Sequence, residues 1–350
     1  MLSKLTLRYF TAFTDAELQF SPGLNVFVGD NGTGKTHLLK ASYSVLAVLS
    51  EDRRNQGEDA PLTKSELQRR LADKLVNVFR PESLGRLATR RQGRSRSHVA
   101  IDMESEDLSC AFSFATQSRS EVTLERKAES TLEKRPVYLP TRELLSIYPG
   151  FVPIYENHYL EFEETWRDTC LLLGAPTLKG PRENRAKKLL QPLEDIMGGR
   201  IVFDTNGRFY LQQPGKGRME MGVVAEGWRK IATLAHLIGN GALLDHGYLF
   251  WDEPESNLNP RLIRSIARTI MAVASQGVQV FIATHSLFLL RELEILSSDP
   301  VLKDVPQRFF ALGSGPDGVV VTQGESAEEI NPLVLLDEEL EQSDRYIEMG

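Results

Sequence analysis

Gly29-Asp30-Asn31-Gly32-Thr33-Gly34-Lys35-Thr36 sits between an apolar, strand-like run at 24–28 and a helical stretch beginning at His37. It matches G-x-x-x-x-G-K-[ST], in which glycines let the backbone curl until its N–H groups converge on phosphate oxygens. The helix start adds its partial positive charge at the same point. Gly29, Asp30, Asn31, Gly32, Thr33, Gly34 and His37 are therefore expected around a nucleotide's phosphates. Lys35 should reach the β- and γ-phosphates, and Thr36 should ligate Mg2+. Strand, loop and helix in this order mark a nucleotide-binding protein.

Composition sets outer limits. A chain of 350 residues with 41% hydrophobic content can bury a large core, and its length allows two or three compact units. A net charge of −7 argues against a general nucleic-acid coat while leaving room for a local basic groove. Cys110 and Cys170 are too few and too isolated for a disulfide framework or a zinc site, and read as buried thiols. The first residues lack a charged segment followed by an apolar core, and no run approaches membrane-spanning length. A cytoplasmic protein with no membrane partner is expected.

Outward from the loop, residues 2–9, 15–20 and 24–28 read as a β-meander running straight into it. Composition turns charged over 51–96, an insertion with a helix at 64–78 and Arg86, Arg90, Arg91, Arg94 and Arg96 crowded together. Strand character resumes at 97–103, 109–115, 121–126 and 136–139, where the main sheet is expected to be completed. A helical lobe spans 151–199, broken by Gly174, Pro176, Gly180, Pro181 and Pro192, which excludes a long coiled coil. Asp204-Thr205-Asn206-Gly207 predicts a hairpin. Strands and helices then alternate to about Thr322, and an acidic amphipathic tail occupies 331–350.

The run Tyr248-Leu249-Phe250-Trp251-Asp252-Glu253 is an apolar strand ending in two acids, the Walker B pattern. Asp252 is expected on Mg2+, and Glu253 to act as general base on a water in line with the γ-phosphate. Such a strand end is common by itself; its weight comes from the pairing with Lys35. Asn259 and Pro260 then suit the N-cap and first position of a helix reaching about Ser275, which Gly277 closes. A buried strand at 278–283 delivers Thr284-His285-Ser286 to the same sheet edge, where His285 can touch the γ-phosphate or the attacking water. Upstream, Ala225-Glu226-Gly227-Trp228-Arg229-Lys230 opens a further helix.

Taken in order, these motifs resemble the ABC-class ATPase heads, in the branch shared by SMC and recombination-repair ATPases and the OLD-type (overcoming lysogenization defect) ATPases. Residues 5–13 and 23–29 look like that family's N-terminal strands and phosphate loop, and 250–260 like its Walker B and D-loop. Thr284-His285-Ser286 resembles its switch histidine. The resemblance implies an α/β fold: a P-loop NTPase of ABC type, with an N-terminal β-meander lobe, a central mostly parallel sheet and helical insertions. Its ATPase head would be assembled from 1–50, 97–150 and 200–330. It also implies ATP and Mg2+ as cofactors, and a homodimer holding ATP between the phosphate loop of one head and the signature helix of the other.

Two departures bear on that expectation. Where the family's signature carries a serine two residues before its glycine, Ala225 stands before Gly227. Arg229 or Lys230 would then have to serve the facing phosphate, and hydrolysis is expected to be slow. Where the family's Mg2+-sensing loop often has glutamine, Pro140-Thr141-Arg142-Glu143 follows the strand. OLD-type relatives often carry a Toprim nuclease, for which the residues after Thr322 leave no room. A separate effector, nuclease or toxin, in bacterial antiviral defence is the first expectation for a partner. The alternative is a DNA-binding SMC-like clamp in repair or recombination. Its phosphate contacts would come from the 86–96 arginines and from Lys179, Arg182, Arg185, Lys187 and Lys188.

Overall fold

Residues 24–29 are buried at every position, and a strand without polar alternation must be covered on both faces. The computed structural model, which describes residues 1–50, 62–89, 95–158, 160–244, 247–331 and 334–348 (backbone only for 334–340), covers it in that way. Most of the acidic and basic run after Ser50, together with Arg90, Arg91 and Arg94, lies outside the described residues.

In chain order, β1 (Leu2–Phe10), β2 (Phe13–Gln19) and β3 (Leu24–Gly29) lead into α1 (Lys35–Leu49), two residues earlier than the sequence suggests. Next come α2 (Lys64–Phe79), β4 (Arg96–Met103), β5 (Cys110–Ala115), β6 (Thr123–Arg126) and β7 (Val137–Leu139). Three helices follow, α3 (Tyr148–Asn157), α4 (Glu164–Leu173) and α5 (Pro181–Met197), then β8 (Arg200–Phe203), β9 (Phe209–Gln213) and β10 (Gly217–Glu220). The last part runs α6 (Glu226–Gly239), β11 (Tyr248–Asp252), α7 (Pro260–Ser275), β12 (Gln279–Thr284), α8 (Leu287–Ser297), β13 (Gln307–Gly315), β14 (Gly318–Gly324) and α9 (Val334–Glu348).

The central sheet has the order β14-β13-β3-β12-β11-β7, parallel throughout except for β14. One face carries Phe27, Phe250, Phe281 and Phe310. Phe27 stacks on Phe310 at 4.8 Å and Phe250 on Phe281 at 4.6 Å, in one buried cluster with the side chains of α1 and α2. The opposite face, with Val26, Val28, Leu249, Trp251 and Ile282, is closed by α6, α7 and α8. The expected N-terminal meander is corrected here. β1 and β2 belong to a separate antiparallel sheet, β2-β1-β4-β5-β6, and β3 leaves them for the parallel sheet. Likewise β4, β5 and β6 complete that second sheet, and of the strands between 97 and 139 β7 alone joins the parallel one.

The 204–207 hairpin forms, with Asp204 N–H bonded to the Arg208 carbonyl at 3.0 Å, and β10 extends it to three strands packed on α5 and α6. Helix α4 is tied to the phosphate-loop helix by charge. Lys40 pairs with Glu163 at 2.5 Å, Tyr43 donates to Asp168 at 2.7 Å, and Lys74 of α2 reaches Glu164 at 2.9 Å. Both cysteines are buried, and burial pushes each thiol up to about 12, which makes them inert. Among the described residues no helix is long and apolar enough to cross a membrane.

Candidate active site

Because β3, β12 and β11 are neighbours, the loops leaving their C-terminal ends meet at one edge of the sheet. At Gly29, φ is 148°, and a Cβ would lie 2.3 Å from the Leu312 carbonyl oxygen, so the loop passes the neighbouring strand only as glycine. Asp30, Asn31 and Gly32 form its exposed tip, and Thr33 Oγ1 closes it on the Asp30 carbonyl at 2.8 Å. Lys35 Nζ donates to the Gly29 and Asp30 carbonyls at 2.7 and 2.8 Å. An ammonium has three N–H donors, so one is left for an oxygen brought to the loop. Burial lowers the pKa of Lys35, with the carboxylates of Asp252, Glu253, Asp30 and Glu255 pulling the other way.

Thr36 Oγ1 lies 2.9 and 3.2 Å from the two oxygens of the Asp252 carboxylate. Burial pushes Asp252 up to about 6, against the Thr36 hydrogen bond. A desolvated carboxylate facing a hydroxyl beside the phosphate loop suits a hard divalent cation. These two residues would hold Mg2+, with phosphate oxygens and water completing its shell. When bound, the ion neutralises charge on the β- and γ-phosphates. Asn31, Gly32, Gly34, Lys35, Thr36, His37, Asp252 and Glu253 line a cleft of about 160 Å3. Burial lowers the pKa of His37, whose ring lies 5.6 Å from that of Phe79, so it lines the cleft as a neutral imidazole. A larger cavity of about 290 Å3 beside Tyr43 is lined by Lys74, Glu164 and Asp168, which satisfy one another and lie off this edge.

Glu253 has φ 48°, a left-handed backbone that costs a non-glycine residue about 1–2 kcal/mol. Its N–H bonds to the Ala283 carbonyl at 2.9 Å, and its Oε1 lies 3.4 Å from His285 Nδ1. Glu255 has a part that sequence reasoning missed. Buried at 7% exposure, its Oε1 accepts from Thr284 Oγ1 at 2.7 Å and from His285 N–H at 3.2 Å, tying the switch turn to the Walker B loop. Ser286 caps α8 by accepting from Leu289 N–H at 3.2 Å, and Asn259 caps α7 by accepting from Leu262 N–H at 3.0 Å.

At the start of α6, Gly227, Arg229 and Lys230 are all engaged within their own head. Gly227 is buried within its own head, where a Cβ would meet Leu258 Cδ2 at 2.9 Å and the Asn257 carbonyl at 3.2 Å. Lys230, 4% exposed, donates to the Glu253 and Ser256 carbonyls at 2.8 and 3.1 Å and to Ser256 Oγ. Arg229 forms an ion pair with Glu143 at 2.8 Å, and its guanidinium donates to the Val224 carbonyl at 2.8 Å. Neither base lines this chain's own cleft, and carboxylate and carbonyl oxygens of the same chain hold both. A signal for Lys230 was present: with Gly227, Ile231, Leu234 and Ile238 it shares one helical face, all of it buried.

Residues 24–291 match the family described as "AAA domain, putative AbiEii toxin, Type IV TA system". The DNA replication and repair protein RecF of Streptococcus uberis is 39% identical over 67 residues, 19% of this chain and 18% of that protein. RecF of Magnetococcus marinus is 58% identical over 40 residues, 11% of this chain and 10% of that protein. The matches thus span no more than about a fifth of the length of these curated relatives. Among solved structures, an Smc head bound to the C-winged helix domain of ScpA is similar at TM-score 0.56 and 12% identity, over 93% of this chain and 98% of that one. The Pyrococcus furiosus Smc head with an extended coiled coil, bound to the C-terminal domain of ScpA, is similar at 0.55 and 12%, over 99% and 98%. At that identity the likeness speaks for the fold. Phosphate loop and Walker B strand agree with the family match, and the chain belongs to this AAA-domain family, on a fold similar to that of the Smc heads.

Proposed function

We propose that this protein binds ATP with Mg2+ and hydrolyses it slowly, and that two copies close around the nucleotide to control a separate effector. One observation carries the chemistry: Lys35, Thr36, Asp252, Glu253 and His285, from three separate loops, converge on one sheet edge, with Thr36 2.9 Å from Asp252 and Glu253 3.4 Å from His285. In this reading Lys35 and the loop amides hold the phosphates, Thr36 and Asp252 hold Mg2+, and Glu253 takes the proton of the attacking water. His285, oriented through Glu255, senses the γ-phosphate. Ala225 at the N-cap of α6 supplies no side-chain hydrogen bond, in keeping with slow turnover. Glu253→Gln should cut hydrolysis by about a hundredfold or more, while ATP stays bound and dimer accumulates. Single-turnover hydrolysis with light scattering reads both, and an unimpaired mutant would place the base elsewhere.

For the effector reading, a nuclease or toxin in antiviral defence within the OLD-type branch, the support is the mention of a toxin and a Type IV TA system in the family description. The likeness to RecF favours a second reading, a DNA clamp in repair. Lys179, Arg182, Arg185, Lys187 and Lys188 are all exposed on and just before α5, where such a clamp would need its charge. DNA affinity falling steeply with added salt supports this second reading, and no binding at low salt removes it.

A further inference from the structure

Three loops behind the cleft are stitched together from inside the head. Lys230 on α6 holds the Glu253 and Ser256 carbonyls, Ser256 Oγ donates to the Thr141 carbonyl at 3.2 Å, and Arg229 pairs with Glu143. A fourth link joins Asn257 Nδ2 to Glu226 Oε1 at 3.0 Å. The Glu253 backbone is in the left-handed region, a conformation that persists only where its surroundings over-determine it. Three contacts hold the backbone of that residue: its N–H on the Ala283 carbonyl, and its own carbonyl accepting from Lys230 Nζ and from Ser256 N–H at 3.1 Å.

We propose that Lys230 is a positioning residue for Glu253, holding its left-handed backbone so that the carboxylate stays beside His285, and thereby coupling the seating of α6 to the catalytic base. The proposal rests on the reading of Glu253 as that base. The donor count supports it: three oxygens around Nζ use all three N–H groups of an ammonium, whereas a neutral amine offers two. Lys230 does not itself line the cleft and bonds its lining residue Glu253 at the backbone carbonyl, so its effect passes through the loop. Because Lys230 stands on α6, a shift of α6 would reach the Glu253 carbonyl directly through this side chain, while the Glu226–Asn257 link reaches only further along the same loop.

The charged groups around Nζ are Glu226 on its own helix, Asp252, Glu253 and Glu255 from the loop after β11, and Arg142 and Glu143 from the loop after β7. Burial outweighs the four acids among these that act on Lys230 and brings it down to about 8. The ammonium, and with it full turnover, is thus present below that pH and lost above it.

The test is steady-state hydrolysis, with ATP affinity and thermal melting, on wild type, Lys230→Met, Lys230→Arg and Glu253→Gln. Lys230→Met should lose about ten- to a hundredfold in kcat with ATP affinity kept within about twofold. Lys230→Arg should regain part of that rate and lack the alkaline limb near pH 8 expected of wild type. A Lys230→Met variant at the wild-type rate, with Glu253→Gln inactive, overturns the positioning role and leaves the base assignment standing. Glu253→Gln at the wild-type rate overturns both. A Lys230→Met variant that loses kcat and ATP affinity together with melting temperature shows a brace of the fold alone, which also overturns the proposal. Should that variant not fold, an alkaline limb in Lys230→Arg like that of wild type would overturn it.

Discussion

Lys35 and Lys230 are both buried beside the same sheet edge, and each bonds backbone carbonyls, yet they are suited to opposite tasks. Lys35 stands at the first turn of α1 with two of its three donors used, both on the phosphate loop itself, and it lines the cleft. Lys230 stands at the start of the second turn of α6 with all three used, on the loop that carries Glu253, and it lines no part of the cleft. A spare donor facing a cleft makes a ligand; a saturated one makes a brace. The difference lies in what the neighbouring loop offers each ammonium, rather than in charge or burial.

The largest expected effect concerns the ligand side of this contrast. Asp252 has a folded-state pKa of about 6, above the ordinary 3.8, so the folded protein holds its proton more tightly than the unfolded chain. That contribution to stability is present at low pH and is lost as pH rises through 6, when the buried carboxylate ionises. Asp252→Asn should therefore stabilise the protein at neutral pH by about 2–3 kcal/mol while removing the Mg2+ dependence of ATP binding. In wild type that dependence should fade as pH drops below about 6. Melting curves and ATP titrations with and without Mg2+ across pH check it, and a dependence unchanged at pH 5 would mean that Asp252 is not the ligand.

On the brace side, a smaller effect is expected from Gly227→Val, which would press on Leu258 and the Asn257 carbonyl and lift α6 from the 257–262 segment. A loss of about 1–3 kcal/mol is expected, with kcat lowered more than ATP affinity. An unshifted melting temperature would show that the close approach is not needed. The smallest effect should come from Ala225→Ser at the N-cap of α6, which has φ −56°, ψ 140° and no capping side chain. It should add about 1 kcal/mol of stability and raise turnover, since it restores the hydroxyl that the family resemblance places there. Stability raised without any change in rate would separate the cap from the chemistry.

Local chemistry was the legible part of this molecule. Helix α7 begins at Pro260 behind an Asn259 cap and ends at Ser275, as the residues indicated, because caps and proline act within one turn. The loop at 29–36 and the acids ending β11 lie where their strands place them. Sheet membership was not legible. The alternation in β4, β5 and β6 marks strands but names no partner, and the pairing of β4 with β1, on which β5 and β6 then add, is set across some ninety residues of chain. Glu255 stood in plain view within the Walker B run, yet its burial follows from the packing of β12 against β11, which no local pattern records. The burial of Lys230 was legible in part, since it shares the helical face of Ile231 and Leu234, while its carbonyl partners on the loop after β11 were not.

Equilibrium titration of ATP with Mg2+ against Lys35→Met and Lys230→Met, side by side, tests the division between ligand and brace most directly. The account predicts that Lys35→Met loses affinity by about a hundredfold or more, on the order of 3 kcal/mol, while Lys230→Met binds within about twofold of wild type. Undiminished binding by Lys35→Met, or an equal loss in both, would contradict it.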